Sequence, residues 1–306
     1  HVTICVIALE RKNMFGECHA HLFMNGTDYR QAVRDHKESV NVQKIREELA
    51  SYQKNGIDFV RDGGDKYGVS ERARDLAQEY SIDYRTPVFA IHRKGHYGGI
   101  VGKSAETLTE FAQLVSEVRH RNGDFIKIMV SGIMEYETFG ALSEPGLEAD
   151  WIREMVHIAH EEGFSVMVHG NGRETVLAAV EAGADSIEHG NYIHTDCLDA
   201  MAERECVWVP TIVTTRNLLG CGRYPEHVLE QIYEKECENL IYGFEKGVKL
   251  AAGSDAGAYL IPHGEGVLQE IQIIVESLTN IGYNEIGVRE RIQQGERWIR
   301  ERFHRK

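Results

Sequence analysis

The sequence is poor in several features that would have pointed to a partner or a location. Its 306 residues include 34 basic and 48 acidic residues, which argues against a nucleic-acid or anionic-membrane partner because both need a basic face. No apolar run approaches the ~20 residues of a membrane span. The longest, residues 2–9, lacks the basic flank of a signal peptide and is predicted to be a short strand. Six cysteines without CxxC spacing predict reduced thiols in a cytoplasmic enzyme.

What the chain does contain is glycine at the ends of successive helical patterns. Its 42% hydrophobic and 27% charged content is ordinary for a globular protein, and neither its five prolines nor any low-complexity stretch divides it. A helical pattern that ends in glycine and passes directly into an apolar run is typical of the αβ half of a βα repeat. This transition occurs at Gly56, Gly123, Gly163, Gly183 and Gly247.

Strand candidates alternate with helical patterns over about 250 residues, which is typical of a (β/α)8 TIM barrel, an α/β fold. Alternation alone would also suit a doubly wound open sheet. We predict a short strand segment at 1–14, a barrel over 15–283 and a helical tail at 284–306. The eight candidate strands are residues 15–22, 57–62, 87–92, 125–131, 165–169, 186–189, 207–212 and 249–254.

Two of these strands carry polar residues that are unusual inside a buried sheet. In the first, Glu17, His19 and His21 share one face because strand side chains alternate, and two imidazoles so spaced can bind one metal ion. In the fourth, Lys127 stands alone in an apolar run, where an unpaired ammonium is costly to bury. A neutral lysine amine can take up carbon dioxide to form a carbamate, whose two oxygens could bridge two metal ions.

Three further strands each end in a single nitrogen or oxygen donor, at His169, His189 and Asp255. In a barrel the carboxyl ends of all strands meet at one mouth, where active sites of this architecture lie. The first and eighth strands of an open sheet would not in general meet. Imidazoles with carboxylates suit Zn²⁺ best, and Mn²⁺, Fe²⁺ or Co²⁺ are also accommodated. The donors therefore favour the barrel and a metal centre.

In these motifs the sequence resembles the amidohydrolase superfamily, in the branch of imidazolonepropionase-like enzymes and Xaa-Pro or Xaa-Arg dipeptidases. The motifs are residues 17–21, with Glu17 in place of the usual aspartate, and residues 126–132, 168–172, 186–190 and 253–256. The resemblance implies a barrel with two Zn²⁺ ions bridged by a carbamate on Lys127. One ion would be bound by His19, His21 and Asp255, and the other by His169 and His189.

Family members usually carry a small β-sandwich built from both chain ends, which we expect here to be absent or vestigial. The resemblance also implies a hydrolase that cleaves an amide or peptide C–N bond of a dipeptide or an N-acyl amino acid. A water that bridges two divalent ions ionises near neutral pH, and the resulting hydroxide would attack the carbonyl. Asp255 would act as general base and then as general acid.

Substrate contacts and rival functions remain open from the sequence. His96 and His263 are predicted on loops at the mouth, and Arg61 could either contact substrate or pair inward with Asp62 or Glu17. The same site would serve a lactonase or a cyclic-amide hydrolase, since one nucleophile attacks esters and lactams alike. An alternative of another class is a non-catalytic metal-binding scaffold, which the complete ligand set opposes. The expected partner is a small molecule, and family members often assemble, so a homo-oligomer is compatible with the resemblance.

Overall fold

The computed structural model describes residues 15–305 of the chain, so the strand predicted within residues 1–14 lies outside the described residues. Ten strands occur in the described part: β1 Glu17–Ala20, β2 Phe59–Asp62, β3 Asp83–Arg85, β4 Ala90–Arg93, β5 Gly102–Ala105, β6 Ile126–Met129, β7 Val166–Gly170, β8 Ser186–His189, β9 Val207–Val209 and β10 Lys249–Leu250. Eleven α-helices accompany them: α1 Tyr29–Lys37, α2 Val42–Lys54, α3 Val69–Ala77, α4 Leu108–His120, α5 Ala149–Glu161, α6 Arg173–Glu181, α7 Thr195–Glu203, α8 Val213–Arg216, α9 Glu226–Lys246, α10 Glu265–Thr279 and α11 Glu285–Arg302.

The strands form parallel ladders in two sheets, one of order β1-β2-β3 and one of order β10-β9-β8-β7-β6-β4-β5. Backbone hydrogen bonds join β1 to the segment after β10: Cys18 N donates to Ala252 O at 3.0 Å, and Asp255 N donates to His19 O at 2.8 Å. On the other side, residues 86–89 alone separate β3 from β4. The first and last strands therefore meet, which confirms the predicted α/β barrel class, although the ladders do not form one continuous ring.

Helix α2 illustrates how the sequence specifies the outer layer. Ile45, Leu49 and Tyr52 recur at helical spacing and are buried against the sheet, as an amphipathic helix requires. The side chain of Asn41 accepts a hydrogen bond from Lys44 N at 3.3 Å and caps the start of the helix. Just after the helix, Gly56 has φ +74°, a left-handed conformation that glycine adopts without steric cost and that lets the chain turn into the next strand.

Helix α11 covers the end of the barrel where the strands begin. Ile299 and Phe303 are buried there in a cluster with Phe59 and Phe125. Gly295 lets the helix approach closely, because a Cβ at this position would lie 2.1 Å from the carbonyl oxygen of Leu250. The strand ends that carry the polar residues are thus left at the opposite, open end. Among residues 15–305, no helix is long and apolar enough to cross a membrane.

Candidate metal centre

Three of the predicted donors lie together at the carboxyl end of the barrel. The ligand atoms of His19, His21 and Asp255 all lie within 4.8 Å of one another. Asp255 Oδ1 is 3.5 Å from His19 Nε2 and 3.6 Å from His21 Nε2. Asp255 has φ +58°, a left-handed backbone conformation that aspartate tolerates better than most residues. Ring closure between β1 and the segment after β10 therefore delivers three donors from distant parts of the chain to one point.

The other two predicted histidines adjoin this group. The ring centroid of His189 lies 4.9 Å from that of His19 and 4.7 Å from that of His169. His189 Nδ1 is 2.8 Å from Thr211 Oγ1, and His169 Nε2 is 3.3 Å from the carbonyl oxygen of Gly132. The four imidazoles thus form one continuous cluster along the inner wall.

Lys127 points into the same space from β6. Its side chain is nearly inaccessible, with 1% of the residue exposed, and its Nζ has no hydrogen-bond partner in the described part of the chain. Burial lowers the pKa of its ammonium group to about 8, although the nearby Glu188 carboxylate opposes this shift. Burying an amine without a hydrogen-bond partner costs free energy. The buried amine of Lys127 therefore requires a chemical explanation.

The electrostatics of the cluster keep its imidazoles neutral. Burial, assisted by the positive charge of Lys127, lowers the pKa of His21 and of His169 to about 3. Burial raises the pKa of Asp255 to about 7, against the favourable charge of Lys127. Neutral imidazole is the form that binds metal ions. The centre is therefore a group of neutral nitrogen donors with one carboxyl group, which is a donor set that suits Zn²⁺.

A fully buried ion pair, Arg61 with Glu188, contacts His19 at Nδ1. Glu188 Oε2 is 2.7 Å from His19 Nδ1, and Glu188 Oε1 accepts a hydrogen bond from Arg61 Nη2 at 2.8 Å. Arg61 also donates from Nε to the carbonyl oxygen of Cys18 at 2.7 Å, and its guanidinium lies over the ring of Phe303. This arrangement orients the His19 ring so that Nε2 faces Asp255, as a carboxylate behind a ligating histidine does.

Replacing Glu188 with glutamine should lower the free energy of unfolding by about 3–5 kcal/mol, because the Arg61 charge would stay buried without a counter-charge. Urea denaturation followed by circular dichroism measures this loss. Glu205→Gln is the matched control: Glu205 pairs with Lys249 with 65% of its side chain exposed, so its change should stay within about 0.5 kcal/mol. An equal, small effect for both variants would show that the buried pair contributes no such stabilisation.

The three residues predicted to contact substrate have other partners in the structure. Arg61 pairs with Glu188 rather than with Asp62 or Glu17, and it does not line the cavity. His263 is buried, with Nδ1 3.0 Å from Tyr52 Oη and Nε2 2.9 Å from the Met24 carbonyl oxygen. His96 is partly exposed, with Nδ1 3.3 Å from Glu144 Oε1, and lies outside the cavity lining.

A cavity of about 620 Å³ opens above the donor cluster. Its floor includes His21, Lys127, His169, His189 and Asp255. Its walls come from the segments that follow the strands, chiefly loops and the first turn of helix α1. The loops have no periodic pattern by which sequence reasoning could identify them. The one sequence signal for these wall residues was that they follow the strand ends of a predicted barrel. The wall residues that the sequence did not assign to the site include Arg30, Tyr97, Tyr136, Asn171, Arg223, Tyr224 and Tyr259.

Comparison with known proteins identifies relatives of this chain. The sequence model of the Amidohydrolase family matches residues 15–285. An uncharacterized protein of Mycobacterium bovis is 28% identical over 165 residues, covering 52% of this chain and 44% of that protein. An ochratoxinase of Aspergillus niger is 24% identical over 190 residues, covering 60% of this chain and 38% of the other. The matched part thus spans less than half the length of these curated relatives.

Solved structures share the architecture. A Xaa-Pro dipeptidase with methionine bound in its active site superposes with a TM-score of 0.74 at 22% identity, over 94% of this chain and 74% of that one. At this level of identity the likeness concerns the fold.

Proposed function

The chain belongs to the amidohydrolase family, and on that basis we propose that it is a metal-dependent hydrolase of an amide or peptide C–N bond in a small molecule. The observation that carries the proposal is the cluster of His19, His21 and Asp255, whose ligand atoms lie within 4.8 Å of one another. His21 and Asp255 line the floor of a cavity large enough for a dipeptide. Pockets of about 300–1,000 Å³ are typical of small-molecule sites.

His19, His21 and Asp255 fit one divalent ion, and we propose a second ion beside it. His19 Nε2 and Lys127 Nζ are buried and have no hydrogen-bond partner in the described part of the chain, so both are free for a ligand. Gly63 leaves room beside the cluster, since a Cβ there would lie 2.3 Å from His21 Cε1. We propose Zn²⁺, with Mn²⁺, Fe²⁺ or Co²⁺ as substitutes. His19, His21 and Asp255 would hold one ion and His169 with His189 the other.

Lys127 would serve both ions as a carbamate. The neutral amine would add to carbon dioxide: an N–C bond would form as one C=O π bond opens to a carboxylate, and the proton released from nitrogen would pass to solvent in the cavity. A costly buried cation would thereby become an anion able to bind divalent ions. Burial already favours the neutral amine. The bound ions would supply Lewis-acid polarisation of the scissile carbonyl and acidify a nearby water.

The remaining chemistry belongs to side chains of this chain. Asp255 faces the cavity and can accept a proton on its carboxylate and pass it to the leaving amine, as a general base and then an acid. Glu188 and Arg61 keep the His19 ring in one orientation. The apolar part of the lining, with Met129 and Met134 in it, would suit the hydrocarbon part of a dipeptide or an N-acyl amino acid. A cytoplasmic location is also proposed, supported by five unpaired cysteines in the described residues.

Removal of divalent ions should abolish hydrolysis, and added Zn²⁺ should restore it. The test measures metal content by mass spectrometry and then offers N-acyl amino acids, dipeptides and lactones to the chelated and the zinc-loaded protein. We expect two ions per chain and cleavage of amides only when loaded. Cleavage of lactones alone would overturn amide hydrolysis in favour of the lactonase alternative. Protein that binds no ions and cleaves none of these compounds would refute the proposal altogether.

A further inference from the structure

The outer part of the cavity carries two arginines in a chain whose net charge is −14. Besides Lys127 on the floor, the charged residues of the lining are Arg30, Arg223, Asp28 and Asp255. Asp28 caps helix α1 by accepting from Arg30 N at 2.8 Å, and it also lies 3.8 Å from Arg34. The Asp28 carboxylate thus has its partners at the start of helix α1. The two arginines therefore dominate the rim, where they would offset the repulsion of an anionic substrate by this acidic protein.

Arg223 differs from Arg30 in its surroundings. The Arg30 side chain is turned to its neighbour, donating from Nε to Tyr29 Oη at 3.2 Å. The guanidinium carbon of Arg223 lies 4.6 Å from the ring centroid of Tyr259 and 5.3 Å from that of Tyr224. Within residues 15–305 these two rings are its cation–π partners, Arg223 itself is exposed, and no carboxylate or other acceptor takes a hydrogen bond from it. A guanidinium packed against aromatic faces keeps its donor edge free for a planar anion.

The loop that carries Arg223 is held in place. It connects α8 to α9, and Gly220 N donates to Glu226 Oε1 at 2.9 Å. Asn217 Nδ2 donates to the Leu260 carbonyl oxygen at 3.0 Å, which ties the loop to the segment that contains Tyr259. Less ordering is therefore needed when a ligand binds, and a preorganised group contributes more affinity than a mobile one.

An aromatic path leads from Arg223 into the cavity. The Tyr224 ring lies 5.1 Å from that of Tyr136, and both rings line the same cavity as the donor cluster. A ligand held at the rim by Arg223 would therefore lay its hydrocarbon portion along tyrosines before it reached the floor. This order suits a molecule with an anionic end, an apolar or aromatic body and an amide bond.

We propose that Arg223 binds the carboxylate of the substrate through its free guanidinium edge, and that it makes this hydrolase selective for amides that carry a free carboxylate. This inference rests on the proposed function, because it assigns specificity to the same cavity. Arginine binds a planar carboxylate in a bidentate manner, which a neutral isostere cannot reproduce.

The experiment compares 4-(acetamidomethyl)benzoic acid with 4-(acetamidomethyl)benzyl alcohol, which contain one amide bond each, carry an aromatic ring between the amide and the polar end, and differ by replacement of the carboxylate with an alcohol. Zinc-loaded wild-type protein should favour the acid by about tenfold in kcat/KM. Arg223→Gln should erase that preference by raising KM for the acid much more than KM for the alcohol. Arg223→Lys, which keeps the charge and loses the planar fork, should give an intermediate ratio. Arg153→Gln, which removes an exposed charge on α5 outside the cavity lining, controls for net charge.

Binding of both compounds, measured by calorimetry, separates this inference from the proposed function. A preference for binding the acid that Arg223→Gln removes, without hydrolysis of either compound, would support Arg223 and refute the assigned activity on these amides. Hydrolysis without any preference for the acid would overturn the inference and leave the activity standing. A preference that survives in Arg223→Gln, or that Arg153→Gln abolishes equally, would also overturn it.

Discussion

Asp255→Asn should lower kcat by about two to four orders of magnitude, which is the range that a positioned acid–base group contributes. Asp255 lies 3.5 Å from His19 Nε2 and 3.6 Å from His21 Nε2 and lines the cavity floor. Asparagine keeps the size and one carbonyl oxygen for a metal ion, yet it cannot accept and return a proton. Metal content by mass spectrometry should therefore stay near the wild-type value while turnover is lost.

The cavity itself offers a matched control. Asp28→Asn alters a second aspartate of the cavity lining, whose role in the structure is to cap helix α1, and asparagine caps a helix as well as aspartate does. We expect this variant to retain wild-type metal content and stability. If Asp255→Asn kept more than a few per cent of kcat, Asp255 would not be the proton-transfer group.

Lys127→Ala should lose both metal and activity. A residue that binds both ions should matter more than a residue behind a ligand, whose replacement costs about 10–100-fold in affinity or activity. We expect the content to fall from two ions per chain to one or none. Short carboxylic acids such as acetate or propionate should restore part of the activity, because they can place two oxygens in the space that the side chain vacates.

Two further lysine variants separate the carbamate from simple packing. Lys127→Met keeps most of the side-chain volume and removes the amine, so it should lose metal as Lys127→Ala does, without rescue by acids. Lys103→Ala removes a lysine of β5 that pairs with Glu117 at 2.6 Å and should leave both ions bound. A Lys127→Ala protein that still holds two ions per chain would refute the bridging carbamate.

The strand pattern was predictable because it is local. Each of the eight apolar segments overlaps an observed strand, since a strand buried on both faces needs a continuous apolar run. β4 and β7 each extend one residue beyond the predicted end. β5 was missed because Lys103 and Ser104 make it polar, and it pairs only with β4 at the edge of the sheet. β3 was missed because the third barrel strand is interrupted at residues 86–89, where Val88 has φ +70°, and sequence periodicity carries no information about such a break.

The donor residues could also be predicted from the sequence, whereas the residues that contact the predicted site residues could not. His19 and His21 share a face because strand side chains alternate over two residues, a property of a single strand. That Arg61 pairs with Glu188 rather than with Asp62 or Glu17 depends on the distance between β2 and β8 across the interior. Likewise, the two ring nitrogens of His263 are occupied by Tyr52 and Met24, residues more than 200 positions away.

By itself, the sequence determined the alternation of strands and helices, the residue types at the strand ends and the family of the chain. The tertiary structure alone decided that residues 19 and 255 face each other, that Lys127 has no hydrogen-bond partner in the described chain, and that Arg223 stands free at the rim. The physical reason is the sequence separation over which each interaction acts. Alternation and helical period act over a few residues, while ring closure, burial and loop placement depend on contacts between segments far apart in the chain.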